Sequence, residues 1–159
     1  MLFARLPNKY IKMKNVVLFA AILGIIFFNH ASTLAGMLDS KDGIQFFDGS
    51  WDATLKKANQ ENKLIFLDIY ATWCGPCKQL KKKTFPDKAL GIYFNATFIN
   101  LSIDGESADG LKLVEKYHVE GYPALLVLDS HGNVISESGG YMPPSDLLEF
   151  GHQAVNKRK

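Results

Sequence analysis

The chain has 159 residues, of which 47% are hydrophobic and 12% aromatic, which excludes a disordered polymer and leaves room for one ordinary domain. Its net charge of +2 comes from the first 35 residues, which hold Arg5, Lys9, Lys12 and Lys14 and no acid; without those four, 14 basic residues face all 16 acids and residues 36–159 carry −2. The basic balance is therefore no argument for nucleic-acid binding, and two cysteines exclude both a disulfide-rich scaffold and a four-cysteine zinc site.

Residues 16–28, VVLFAAILGIIFF, form an uncharged apolar run behind Lys12 and Lys14. Small and polar residues follow. This is the order of a secretory signal, with Thr33 and Ala35 before a cut at Gly36. The rival is an uncleaved anchor: thirteen residues fall short of the roughly 20 needed to span a bilayer, and extending the run over 16–38 takes in Asn29, His30, Ser32 and Thr33. Met13 is an alternative start. On either reading the rest of the chain is exported, with residues 1–35 as leader or anchor, 36–43 as a short linker and 44–156 as one domain.

Ile44–Phe47 is a candidate edge strand. Ser50 is placed to cap a helix over 51–61, with Trp51, Leu55 and Ala58 at helical spacing. Leu64–Tyr70 is apolar except for Asp68 and predicts a central strand. A helix runs from about Cys74 to Lys83, ending at Phe85-Pro86 because the residue before proline avoids the helical region. Asp87 caps a further helix to about Asn95. Thr97–Ile103 predicts a strand, and Ser107–Tyr117 a helix with Leu111, Val114 and Tyr117 inward. Ala124–Asp129 is an apolar strand, joined through Ser130-His131-Gly132-Asn133 to a return strand at Val134–Ser138. Pro144 starts a last helix to about Val155. Early alternation and a late hairpin predict an α/β fold with a mixed sheet of four to five strands and helices on both faces.

Both cysteines lie in WCGPCK, where a strand gives way to a helix. Cys74 falls at the helix N-terminus, where unpaired N–H groups favour a thiolate. Cys77, one turn on and more shielded, is placed to resolve a mixed disulfide formed at Cys74. Pro76 suits an early helical position. A structural disulfide closing so small a loop restrains the unfolded chain little. A metal site would need His118, His131 or His152, none at ligand spacing. Lys78 after the second cysteine excludes haem attachment.

WCGPCK resembles the active site of the thioredoxin superfamily, and the likeness extends over about residues 44–156. It implies a thioredoxin fold and a redox-active Cys74–Cys77 disulfide, with no metal or other cofactor. It makes Asp68 the buried acid that carries the proton of Cys77, and such an acid should have a raised pKa. It implies a cis bond before Pro123, with the Tyr122 backbone pairing with an extended substrate, and it places Gly140 beside the substrate groove. Trp73, Gly75 and Pro76 complete the substrate-facing set. There are departures. The family lysine near the buried acid is replaced by Asn100, leaving Asp68 without a charged partner. Tyr122 replaces a small residue. Lys78, Lys81, Lys82 and Lys83 are read mostly as a solvated helix face.

KKKTFPDKAL and GGYMPPSDLLEF further resemble the C-terminal periplasmic domain of transmembrane thiol–disulfide interchange reductases of the DsbD type. The implied function is an exported, monomeric thiol–disulfide oxidoreductase, mainly a reductase of protein disulfides, with a membrane-embedded electron donor as partner. Its location would be periplasmic, with an inner-membrane anchor at 16–38 if the leader is retained. The alternatives are an oxidase or isomerase, or a binding or chaperone module in a membrane complex.

Overall fold

A computed structural model describes residues 42–158 of the chain. The leader, its cleavage or anchoring, and most of the linker lie outside the described residues.

Among the described residues, nine elements of α and β structure follow one another: α1 (Trp51–Glu61), β1 (Leu64–Tyr70), α2 (Gly75–Gln79), α3 (Lys88–Thr97), β2 (Phe98–Asp104), α4 (Ala108–Lys116), β3 (Ala124–Leu128), β4 (Val134–Gly139) and α5 (Pro144–Lys157). A π-helical turn, Leu80–Thr84, continues α2. The sheet order is β2-β1-β3-β4, with β1 and β2 parallel and the other pairs antiparallel. This is the mixed sheet that the alternation followed by a hairpin demands.

Local signals account for the boundaries. The side chains of Ser50, Asp87 and Ser107 accept N–H groups of the first turns of α1, α3 and α4, supplying partners the helix cannot. Asp129 makes the β3–β4 turn: its Oδ1 accepts the N–H groups of His131 and Asn133 at 2.8 and 2.9 Å. Gly132 sits there at φ +83°, where a side chain would be strained.

Alternation along β1 splits the core in two. Leu64 and Phe66 face α3 and α5, packing with Phe85, Phe94, Phe98, Leu125 and Leu147. The Phe66 and Phe94 rings meet edge to face at 4.9 Å. Ile65, Leu67 and Ile69 face the other way, onto Ala58 of α1 and Leu113 of α4. Helices therefore cover both faces.

Four details differ from the sequence reading. The expected edge strand at Ile44–Phe47 shrinks to one bridge, Phe46 to Asn100, because side-chain amides hold this segment: Asn95 Oδ1 accepts the Gln45 N–H, and Asn100 Nδ2 donates to the Gln45 carbonyl. The helix after the cysteines widens into a π turn closed by Phe85 N–H to Leu80 O at 2.9 Å. Phe85 itself stays helical, at φ −60°, ψ −30°; the widening, not an extended residue, turns the chain before Pro86. Finally, Leu111 of α4 is 55% exposed and Leu113 takes the core position. The buried stripe starts at Gly110, where a Cβ would lie 1.9 Å from the Asp104 carbonyl oxygen.

Candidate active site

β1 delivers the chain to the cysteines. Cys74 is the N-cap of α2, with extended backbone (φ −67°, ψ 115°), and its sulfur accepts the Cys77 N–H at 3.1 Å. Pro76 lies in the first turn, where its missing N–H leaves no bond unmade. The two sulfurs are joined in a disulfide, 2.03 Å long. The N–H that bonds the sulfur here is oriented to stabilise a thiolate at the same atom once the disulfide is reduced. The expected difference in shielding is absent in this state: both cysteines are 2% exposed. What distinguishes them is position, one capping the helix and the other inside its first turn.

Asp68 lies on the same side of β1 as Tyr70. It is 1% exposed. Its Oδ2 accepts the Ser102 hydroxyl at 2.7 Å across the parallel β1–β2 register, while Oδ1 has no partner among the described residues. Burial pushes the carboxyl up to about 6, opposed by the Ser102 hydrogen bond and by the charge of Lys81. The expectation of no charged partner is thus corrected. The missing family lysine leaves Asn100 buried, its Nδ2 serving Gln45 and Asn95, but Lys81 brings a positive charge from the helix side. A carboxyl with a midpoint near 6 both takes and gives a proton around neutral pH.

The Tyr122–Pro123 peptide is cis. Tyr122 packs against the cluster of Ala71, Cys74 and Cys77, as does Tyr70. The Tyr122 ring meets Trp73 edge to face at 5.9 Å and lies over Gly105, leaving no room there for a Cβ. Trp73 is 66% exposed, and its indole N–H donates to Glu106 Oε1 at 2.7 Å. Gly75 has open space around its Cα. Gly140, at φ +82°, donates its N–H to the Pro123 carbonyl at 3.3 Å.

An open groove of about 790 Å3 runs between residues 117–124 and β4, and Tyr122, Pro123 and Gly140 line it. Cys74, Cys77, Trp73, Gly75 and Pro76 are not in its lining; Trp73 and the two cysteines adjoin it through Tyr122. Ser102 and Glu106 were not singled out from sequence. Ser102 shows itself only through the β1–β2 register, and Glu106 only through the loop that returns it to Trp73. Among the described residues no group of three or more His, Cys, Asp or Glu side chains is placed to hold a metal, and no helix is long and apolar enough to cross a membrane.

Comparison with known proteins agrees with this geometry. The model of the thioredoxin-like domain matches residues 51–154. The thiol:disulfide interchange protein DsbD of Colwellia psychrerythraea is 33% identical over 100 residues, 58% of this chain and 16% of that protein; the chain thus matches about a sixth of the length of these relatives. Among solved structures, a Bacteroides thetaiotaomicron protein provisionally assigned as a disulphide-isomerase is 42% identical, covering 72% of this chain and 94% of that one with a TM-score of 0.65. The oxidised C-terminal domain of Neisseria meningitidis DsbD, 21% identical, covers 70% of this chain and 98% of its own with a TM-score of 0.57, and shares the fold.

Proposed function

The chain belongs to the thioredoxin-like family, and from that premise we propose that it is a thiol–disulfide oxidoreductase acting mainly as a reductase of protein disulfides. The observation that carries the reading is the Cys74–Cys77 pair at the start of α2, with a buried carboxyl of raised pKa on the strand that feeds it.

In the reduced protein the Cys74 thiolate attacks one sulfur of a substrate disulfide. A mixed disulfide forms at Cys74, and the other substrate sulfur leaves as a thiolate. Cys77 gives its proton to Asp68 and attacks the Cys74 sulfur. The Cys74–Cys77 bond forms, the second substrate sulfur leaves, and two electrons have passed from protein to substrate. A dithiol donor must then reduce the pair again; the likeness to DsbD favours a membrane-embedded one. Tyr122, Pro123 and Gly140 offer the substrate an extended seat, with Trp73, Gly75 and Pro76 flanking the reacting sulfurs. The exported location rests on residues 1–35, read as signal or anchor.

The reduction potential of Cys74–Cys77, equilibrated against a defined thiol buffer, tests the direction. A value near about −270 mV is expected for a reductase; one between about −180 and −120 mV would assign disulfide formation or isomerisation instead, the activity named for the Bacteroides protein.

A further inference from the structure

We propose that Lys81 is a positioning residue for the proton transfer at Cys77, its ammonium held on the Tyr70 ring, on the face of β1 that also carries Asp68. This deepens the reading above and rests on it only for where the Cys77 proton goes.

Asp68 and Tyr70 are two residues apart on β1 and therefore share one face. Lys81 Nζ lies 3.1 Å from the centre of the Tyr70 ring. A cation over a ring face is attracted by its quadrupole and loses some freedom to swing into water. Tyr70 in turn packs on Ala71, Cys74 and Cys77. The ammonium thus rests on a ring that shares its strand face with the acid and packs on the two cysteines. Lys81 is one helical turn beyond Cys77, on the π turn that follows α2.

The other groups around Asp68 leave this role open. Ser102 of β2 gives one neutral hydrogen bond. Leu125 of β3, its cross-strand neighbour, is apolar. The core residues of α3 and α5 on this face, Leu90, Phe94 and Leu147, are apolar as well. Cys74 and Cys77 do not titrate while they are joined. Tyr70 is the seat. Lys81 is the charged group whose attraction acts on Asp68. Lys78, Lys82 and Lys83 make no ion pair or ring contact among the described residues. The four lysines after the motif are therefore not equivalent, and the position taken by Asn100 is not where the compensating charge sits.

The test follows the Asp68 carboxyl 13C resonance against pH in the oxidised protein, where no thiol titrates. Lys81→Met is expected to raise the Asp68 midpoint by about half a pH unit, a roughly threefold gain in proton affinity, modest because the ammonium is exposed to solvent. Lys81→Arg, which keeps the charge and stacks on the ring, is expected to restore it. Lys82→Met removes a neighbouring charge without the ring contact and should leave the midpoint in place. A Lys81→Met shift no larger than that of Lys82→Met, or a failure of Lys81→Arg to restore the midpoint, overturns the assignment. Because the readout needs no turnover, it stands apart from the reductase reading. Failure of the reduced wild-type protein to cleave insulin disulfides would sink that reading and leave the titration result untouched.

Discussion

Replacing Asp68 by Asn should make the oxidised protein's stability less dependent on pH, in a window that the structure defines. In the folded protein the carboxyl is pushed from 3.8 to about 6, so between these values the folded state holds a proton that the unfolded state has lost. The derivative of unfolding free energy with pH is then negative: stability from this group is full below about pH 3.8 and is lost as pH rises through about 6. Roughly two pH units at about 1.4 kcal/mol each give a loss of about 3 kcal/mol. Asp68 is almost wholly buried, so solvent screening takes little from that figure. Asn keeps an oxygen for the Ser102 hydroxyl and places an NH2 where Oδ1 has no partner. That adds a constant offset but no proton. Urea unfolding of both oxidised proteins from pH 3.5 to 8 measures the difference, in which the other titrating groups cancel. The variant should gain about 3 kcal/mol on the wild type between pH 3.5 and 8. A difference constant to within about 0.5 kcal/mol, or one that moves the other way, would refute the argument that Asp68 is ionised against the cost of burial.

Cys77→Ser should convert turnover into trapping: the reduced variant, mixed with a disulfide-containing protein, accumulates a mixed disulfide at Cys74 visible on a non-reducing gel, whereas Cys74→Ser accumulates none; adducts of equal yield would show that the two sulfurs have no separate roles. Gly110→Ala should cost at least about 2 kcal/mol in urea unfolding, since its Cβ would meet the Asp104 backbone. Gly75→Ala, with open space around it, should cost almost nothing in the same assay, and equal costs would contradict the close approach of α4 to the end of β2.

The strands and most helix boundaries were legible because each carries its own signal: β1 is a buried apolar run, and Ser50, Asp87 and Ser107 mark helix starts. The CxxC at the end of β1 was legible for the same reason, since the spacing itself fixes which helical turn holds both sulfurs. Inward-facing residues of α4 were not. Hydrophobicity makes Leu111 and Leu113 equivalent, and the stripe begins at Gly110, which has no side chain to count. Ser102 was hidden because strand register is a pairwise property, and one sequence does not state which residue lies opposite Asp68. Lys81 was hidden among four lysines, three of them on one π turn, and only its contact with the Tyr70 ring sets it apart.

The single bridge between Phe46 and Asn100 has an effect on how the molecule behaves among its copies. β2 is an outer strand of the sheet, and its free side would offer backbone donors and acceptors to any passing strand. Phe47 N–H instead occupies the Asn100 carbonyl at 2.7 Å, and the Asn95 and Asn100 amides, bonded to each other, tie down Gly43 and Gln45. A segment too irregular to be paired further covers the edge at Asn100 without creating a new one, so residues 43–47 interrupt β2 as a template for another strand.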